Sequence, residues 1–290
     1  MTASALDIDR EWMTSTLVEL LHTPSPAGRT DGVMQLVGDL LTEMGVAFTL
    51  TRRGALLAEL PGRSADPDRA VVVHADTLGC QVRAIKDNGR LAVVPIGTHS
   101  ARFAEGARVT VFADDAGASY TGTILPLLAS GHAFGDAVDH QPVGWDQVEV
   151  RIDERVEDAA DVRALGIEVG DVVAFFSFPA VTDAGFVCAR HLDGKAGVAA
   201  ALAAFRALAG AEVELPRNAH LLVTIAEEVG QGASHGLDRD VAEMVSVDNG
   251  VVAPGQQSRE DQVTVAMGDM TGPFDPHLSR RLAGLAREAG

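Results

Sequence analysis

The chain has 290 residues, enough to bury a full core in one large or two modest domains. Its 41 acids against 23 bases leave a formal charge of −18, which repels a phosphate backbone and an anionic membrane surface, so neither nucleic acid nor membrane is an expected partner. Apolar residues make up 47% of the chain and aromatics only 4%, which predicts a core of Val, Leu and Ala packed between sheet and helices.

Residues 1–12 carry acids early and no apolar run, so no secretory signal is read. The longest apolar stretch, 197–211, is broken by Arg206 and too short to span a bilayer, and a cytoplasmic location is expected. Cys80 and Cys188 give neither a disulfide framework nor a thiolate metal site, and both are expected to be small buried residues.

Residues 9–22 and 30–44 carry apolar side chains at helical spacing, joined by the loop Thr23-Pro24-Ser25-Pro26-Ala27-Gly28. A hairpin-like segment at 47–60 and a turn at 61–68 precede an apolar strand at 70–74 that should be buried on both faces. From about residue 79 to 182, short β-type runs at 81–85, 91–96, 108–112, 120–125, 148–152 and 171–176 are separated by turn residues. Lys86-Asp87-Asn88-Gly89 reads as a hairpin turn. With no long amphipathic helix among them, these runs predict an all-β barrel or sandwich inserted into an α/β domain.

The α/β rhythm then returns with a strand at 186–190, a helix at 194–208, and strands at 220–226, 244–247 and 262–267. A last helix spans 276–288, with Asp275 as its N-cap and Pro276 at its first position. The predicted organisation is a catalytic α/β domain in two parts, 1–78 and 183–290, around an inserted β domain at 79–182. That insert lacks clustered acids, so it is expected to serve assembly and to stand apart from the catalytic crevice.

Four apolar runs each end in acids or a histidine: Val71-Val72-Val73-His74-Ala75-Asp76, the segment from Cys188 to Asp193, Leu222 through Glu227-Glu228, and Val245-Ser246-Val247-Asp248. In an open α/β sheet the carboxyl ends of the strands face the ligand crevice, so these groups should converge. Crowded carboxylates repel unless protons or cations neutralise them, and a metal site explains all four runs at once. His74 and Asp76 should share one side of the strand, one binding and the other orienting, because a metal-bound imidazole commonly donates its second ring proton to a carboxylate. Adjacent Glu227 and Glu228 leave the backbone in different directions, so one can ligate while the other acts as general base. One imidazole with several carboxylates suits zinc, cobalt or manganese.

His74-Ala75-Asp76, Asp193-Gly194-Lys195-Ala196-Gly197, Glu227-Glu228-Val229-Gly230 with Gly232-Ala233, and Asp248 resemble, in this order, the site motifs of the tetrahedral aminopeptidases, the glutamyl aminopeptidase-like metallopeptidase family 42. The opening 23–28 loop is similar too, and the resemblance covers nearly the whole chain. It implies an α/β/α phosphorylase/hydrolase-like peptidase domain carrying the inserted barrel. It further implies two divalent ions, zinc or cobalt, bridged by Asp193, with His74 and Asp248 completing one site, Glu228 serving the other and Glu227 as general base. Asp76 would support His74 in catalysis. The substrates would be the free N-termini of peptides, and the chains would form homodimers through the inserted domain, often as twelve-subunit tetrahedra. Thr271-Gly272-Pro273-Phe274-Asp275 is similar to a bacterial branch associated with making a dipeptide osmolyte.

Three departures from the family pattern stand out. Thr77 follows Asp76 where many members have Glu, and Gly194 follows Asp193 where Asn or Asp is usual, so local support of two ligands is expected to differ. Members also supply a further metal-binding His beyond the last helix seen here, which makes the second cation site the weaker one, with His277 as the one downstream histidine that could stand in.

Two competing readings remain. Gly232-Ala233-Ser234-His235-Gly236 matches the G-x-S-x-G nucleophile elbow and is followed by Asp248 and His277, although Glu227-Glu228 intervene between strand and elbow. A non-catalytic subunit with an incomplete metal site is the other. His99, His132 and His140 in the insert are read as surface or packing residues, and His191 as either a neighbour of the site or a loop residue.

Overall fold

The computed structural model describes residues 6–64, 68–211, 214–237 and 239–289. Helix α1 (Arg10–His22) starts where the Asp9 carboxylate accepts the Trp12 backbone N–H, 2.9 Å away. Arg206 pairs with the same carboxylate at 2.8 Å and lies over the Trp12 ring. Helix α2 (Asp31–Glu43) presses Gly38 against the Phe48 ring, at a distance that leaves little room for a side chain there.

Strands β1 (Ala47–Leu50), β2 (Leu56–Leu60) and β3 (Asp68–His74) come next. Six strands then close a barrel: β4 (Gly79–Ile85), β5 (Leu91–Ile96), β6 (Arg108–Ala113), β7 (Ala118–Pro126), β8 (Val148–Ile152) and β9 (Val172–Phe175), in the order β4-β5-β8-β7-β6-β9. Closure leaves no open sheet edge. Alternate residues such as Val82, Val93, Val109, Val111, Val150, Ile152 and Val173 point inward and form a separate core. Gly89, at φ +72, completes the expected β4–β5 hairpin turn. Short helices α3 (Gly131–Phe134), α4 (Ala137–His140) and α5 (Ala159–Ala164) sit in the barrel's connections.

The chain leaves the barrel through a short hairpin of two-residue strands, β10 (Ala180–Val181) with β11 (Val187–Cys188). Helix α6 (Leu192–Gly210), strands β12 (Ala219–Thr224) and β13 (Val241–Ser246), the short pair β14 (Gly268–Asp269) and β15 (Gly272–Pro273), and helix α7 (Pro276–Ala289) complete the chain. The main sheet runs β1-β2-β12-β3-β13, with β3 parallel to both β12 and β13. Leu20, Val37 and Leu202 from the helices meet Val73, Leu221 and Val223 on one face, while Val72 and Leu222 face a smaller cluster with Ala233 and Leu237 on the other. The fold is therefore mixed α/β with an inserted closed barrel. No helix among the described residues is long and apolar enough to cross a membrane.

Two expected strands are corrected. Residues 186–190 do not join the main sheet, because Phe186 is exposed and only Val187 and Cys188 find a partner strand. Residues 262–267 form no strand; pairing there is confined to β14 and β15, and Val263 and Met267 are exposed. Cys188 is likewise exposed, whereas Cys80 lies in the barrel core, where burial pushes its thiol pKa up. The helix start is as expected: the Asp275 carboxylate accepts the Leu278 backbone N–H, 2.7 Å away.

Candidate metal centre

Strand β3 ends at His74, which pairs in register with Thr224 at the end of β12. The strand geometry stops there, so Asp76 does not simply lie beside His74. Its buried carboxylate turns beneath the turn that follows β12 and accepts the backbone N–H groups of Glu227 and Glu228, each at 3.1 Å. Ring atom Nδ1 of His74 is 3.0 Å from the Asp76 backbone oxygen but 3.6 Å from its carboxylate. The partner that fixes the imidazole is thus a carbonyl, a correction to the carboxylate expected. With Nδ1–H donating to that carbonyl, Nε2 faces the acids.

The acids converge on Nε2. Asp193 Oδ1 is 3.1 Å away, Asp248 Oδ1 3.6 Å and Glu227 Oε2 4.0 Å. His74, Glu227 and Asp248 form one set able to hold a cation, and His74, Asp193 and Glu228 a second, with all ligand atoms of a set within 4.8 Å of one another. The structure therefore gathers His74, Asp193, Glu227, Glu228 and Asp248, with Asp76 directly beneath. His99, His132, His140, His191 and His277 belong to neither set. His99 packs edge-on to Trp145 and Phe175, as a packing residue should.

Asp193 arrives by a route the sequence reading missed. It stands at the start of α6, where Asp193 and Gly194 break helical geometry. Gly194 has φ +73, and a Cβ there would lie 2.5 Å from the His74 ring and from the His74 carbonyl. The glycine is what lets the helix start touch the imidazole. Three residues on, a Cβ at Gly197 would meet the Val247 carbonyl at 2.9 Å. The spacing of these two glycines was the available signal. Asn249 was also missed; its side-chain amide donates to Asp193 Oδ2 at 2.5 Å and its backbone N–H to Asp248 at 2.7 Å.

The barrel does reach this cluster, contrary to expectation. Gly97, just past β5 at φ +79, lies so close to Glu228 that an added Cβ would sit 3.1 Å from its carbonyl. Behind the cluster, the buried Lys195 ammonium donates to the Leu20 and Thr23 carbonyls at 2.7 and 2.6 Å, and burial holds its pKa down to about 7.

The electrostatics fit a cation. Burial would lower the His74 pKa, but the surrounding carboxylates of Asp193, Asp248 and Asp76 outweigh it and push it up to about 12. Burial, followed by the charge of Asp193, pushes the Glu228 carboxyl up to about 7, and burial raises Glu227 as well. The cluster thus draws positive charge to Nε2, and its one imidazole among four carboxylates is a donor set for zinc, cobalt or manganese. The nucleophile elbow is not supported: β12 ends at Thr224, well short of Ser234, whose hydroxyl lies 2.9 Å from Nδ1 of the adjoining His235.

The model of the family described as M42 glutamyl aminopeptidase matches residues 54–290. YhfE of Bacillus subtilis (strain 168), which carries an aminopeptidase name, is 36% identical over 270 residues, covering 93% of this chain and 78% of its own. Aminopeptidase APDkam598 from the archaeon Desulfurococcus kamchatkensis superposes with a TM-score of 0.79 at 22% identity, covering 97% of this chain and 78% of that one. The TET1 peptidase of Pyrococcus horikoshii, whose structures show assembly into a tetrahedron or a large octahedral shell, does so with a TM-score of 0.78 at 20% identity, covering 96% and 82%. These two share the fold, including the barrel. With the family model spanning most of its length and a relative above 30% identity, the chain belongs to the M42 glutamyl aminopeptidase family and is a peptidase hydrolase.

Proposed function

We propose that this chain removes N-terminal residues from peptides using two divalent cations, zinc or cobalt. The observation that carries the reading is the convergence of Asp193, Glu227, Glu228 and Asp248 on His74 Nε2. Asp193 would bridge the ions, with His74 and Asp248 on one and Glu228 on the other. When bound, such ions acidify a water and polarise an amide carbonyl.

The chain's own residues supply the rest. Glu227, partly exposed at the edge of the cluster, takes the proton of the attacking water and delivers it to the leaving amine. Asp76 ties the backbone of Glu227 and Glu228 to the end of β3, which holds base and ligand in fixed relation. The barrel serves self-association into a homodimer or a larger assembly, which light scattering with and without residues 81–181 tests. The excess of acids over bases suits a peptidase working in the cytoplasm.

The reading is tested by turnover of an aminoacyl amide before chelation, after it, and after zinc or cobalt is restored. Activity should vanish with the chelator and return with the metal. Turnover indifferent to the chelator but stopped by a serine-directed acylating reagent would overturn it.

A further inference from the structure

A cavity of about 360 Å³ lies between the α1–α2 loop, strands β6 and β9 of the barrel, and helix α6. That is within the size range of small-molecule clefts. No residue of the metal cluster lines it. Its walls are mainly apolar, with Leu21, Pro24, Phe175 and Phe176 among them. Phe178 also lines it, more than half exposed and held at φ +48, a left-handed backbone costly for a side chain of this size.

Among the described residues no Asp or Glu lines this cavity, and Lys195 is the one ammonium or guanidinium group on its wall. Lys195 is 1% exposed. It forms no ion pair among the described residues; its partners are the Leu20 and Thr23 carbonyls. An ammonium has three N–H donors, so one remains after these two bonds. The neighbouring hydroxyls of Ser25 and Ser177 are already committed to the Ala75 and Leu21 carbonyls. A buried cation held by carbonyl dipoles alone, beside aromatic walls, is complementary to an anion with an apolar body.

We infer that this cavity binds a small monocarboxylate with an aromatic or branched apolar body, its carboxylate on the Lys195 ammonium and its body among the phenylalanines. The occupant touches both the peptidase part of the chain and the barrel, because Ser177 and Leu21 on the cavity wall join the two.

The test is calorimetric titration of the full chain with 3-phenylpropanoate and, separately, with 3-phenylpropanamide, which has the same body without the charge. The carboxylate is expected to bind at least about tenfold more tightly, the margin of a hydrogen bond to a charged group. Lys195→Met should remove that margin. Thr110→Trp, which fills the cavity from β6, should abolish binding of both probes while aminoacyl amide turnover persists. Should Lys195→Met fail to fold, the probe pair and Thr110→Trp still decide. Equal affinities for the two probes, no binding at millimolar concentration, or carboxylate binding unchanged in Thr110→Trp each overturn the inference.

Discussion

The carboxylate of Asp76 grips the backbone of Glu227, 3.1 Å from its nitrogen, and extends the same grip to Glu228. The proposed ligand Glu228 and the proposed base Glu227 are thereby fixed to the strand end that presents His74. An Asn in this place can accept one of the two N–H groups but must turn its own NH2 toward the other. Asp76→Asn should therefore lower turnover by about ten- to a hundredfold, the scale for a group supporting metal ligands. The thermal midpoint should move less than in Asp76→Ala. Turnover within twofold of wild type would show that the grip is dispensable.

Glu227→Gln keeps the shape of the side chain and removes its basicity. Metal content should stay as in wild type while turnover of an aminoacyl amide falls by roughly two to four orders of magnitude, the usual scale for a positioned acid/base. Near-normal turnover in that variant would assign the proton transfer elsewhere.

Both candidate cation sets use His74, and only its Nε2 faces the acids. One imidazole nitrogen cannot serve two ions equally, so one cation should be held tightly and the other by carboxylates alone. Elemental analysis after dialysis is expected to find one retained ion per chain. Two retained ions, unaffected by His277→Ala, would show the second position to be complete as it stands.

Gly194 and Gly106 separate backbone strain from crowding, because their φ angles are +73 and +76 but only Gly194 has the His74 ring against it. Each change to Ala should cost on the order of 1–3 kcal/mol from the left-handed backbone. Gly194→Ala should in addition displace His74 and lower metal content and turnover at least about tenfold, while Gly106→Ala leaves both intact. Equal turnover in the two variants would refute the steric account.

In the barrel, the Asp153 pKa is lowered to about 2 by the Arg108 guanidinium, with the Thr121 hydroxyl adding to the effect. A carboxyl depressed in the folded state stabilises above its unfolded value near 3.8, and the contribution fades as pH falls toward about 2. The difference in melting temperature between wild type and Asp153→Asn should thus be present at pH 5 to 7 and shrink between pH 4 and 2. A difference independent of pH would show that the group acts only through neutral hydrogen bonds.

Much of this architecture was legible in the residues. The valines of β3 announced a strand buried on both faces, and the regular turns between 79 and 182 announced the barrel. Strand-end acids located His74, Glu227, Glu228 and Asp248. What stayed hidden depends on distances between segments remote in sequence. Nothing local says that Asp193 would enter on a broken helix start, that Gly97 of the barrel would lie against Glu228, or that Asn249 would hold Asp193. The 262–267 run misled because alternation alone does not supply a neighbouring strand.

The cluster draws on β3, on the start of α6, on the turn after β12 and on the end of β13, with the whole barrel interposed between the first and second of these. During synthesis the residues emerge in that order, and domains close as they emerge. No partial chain ending before Asp248 contains the full set of acids. An activity that needs all of these acids therefore cannot begin before Asp248 has been made.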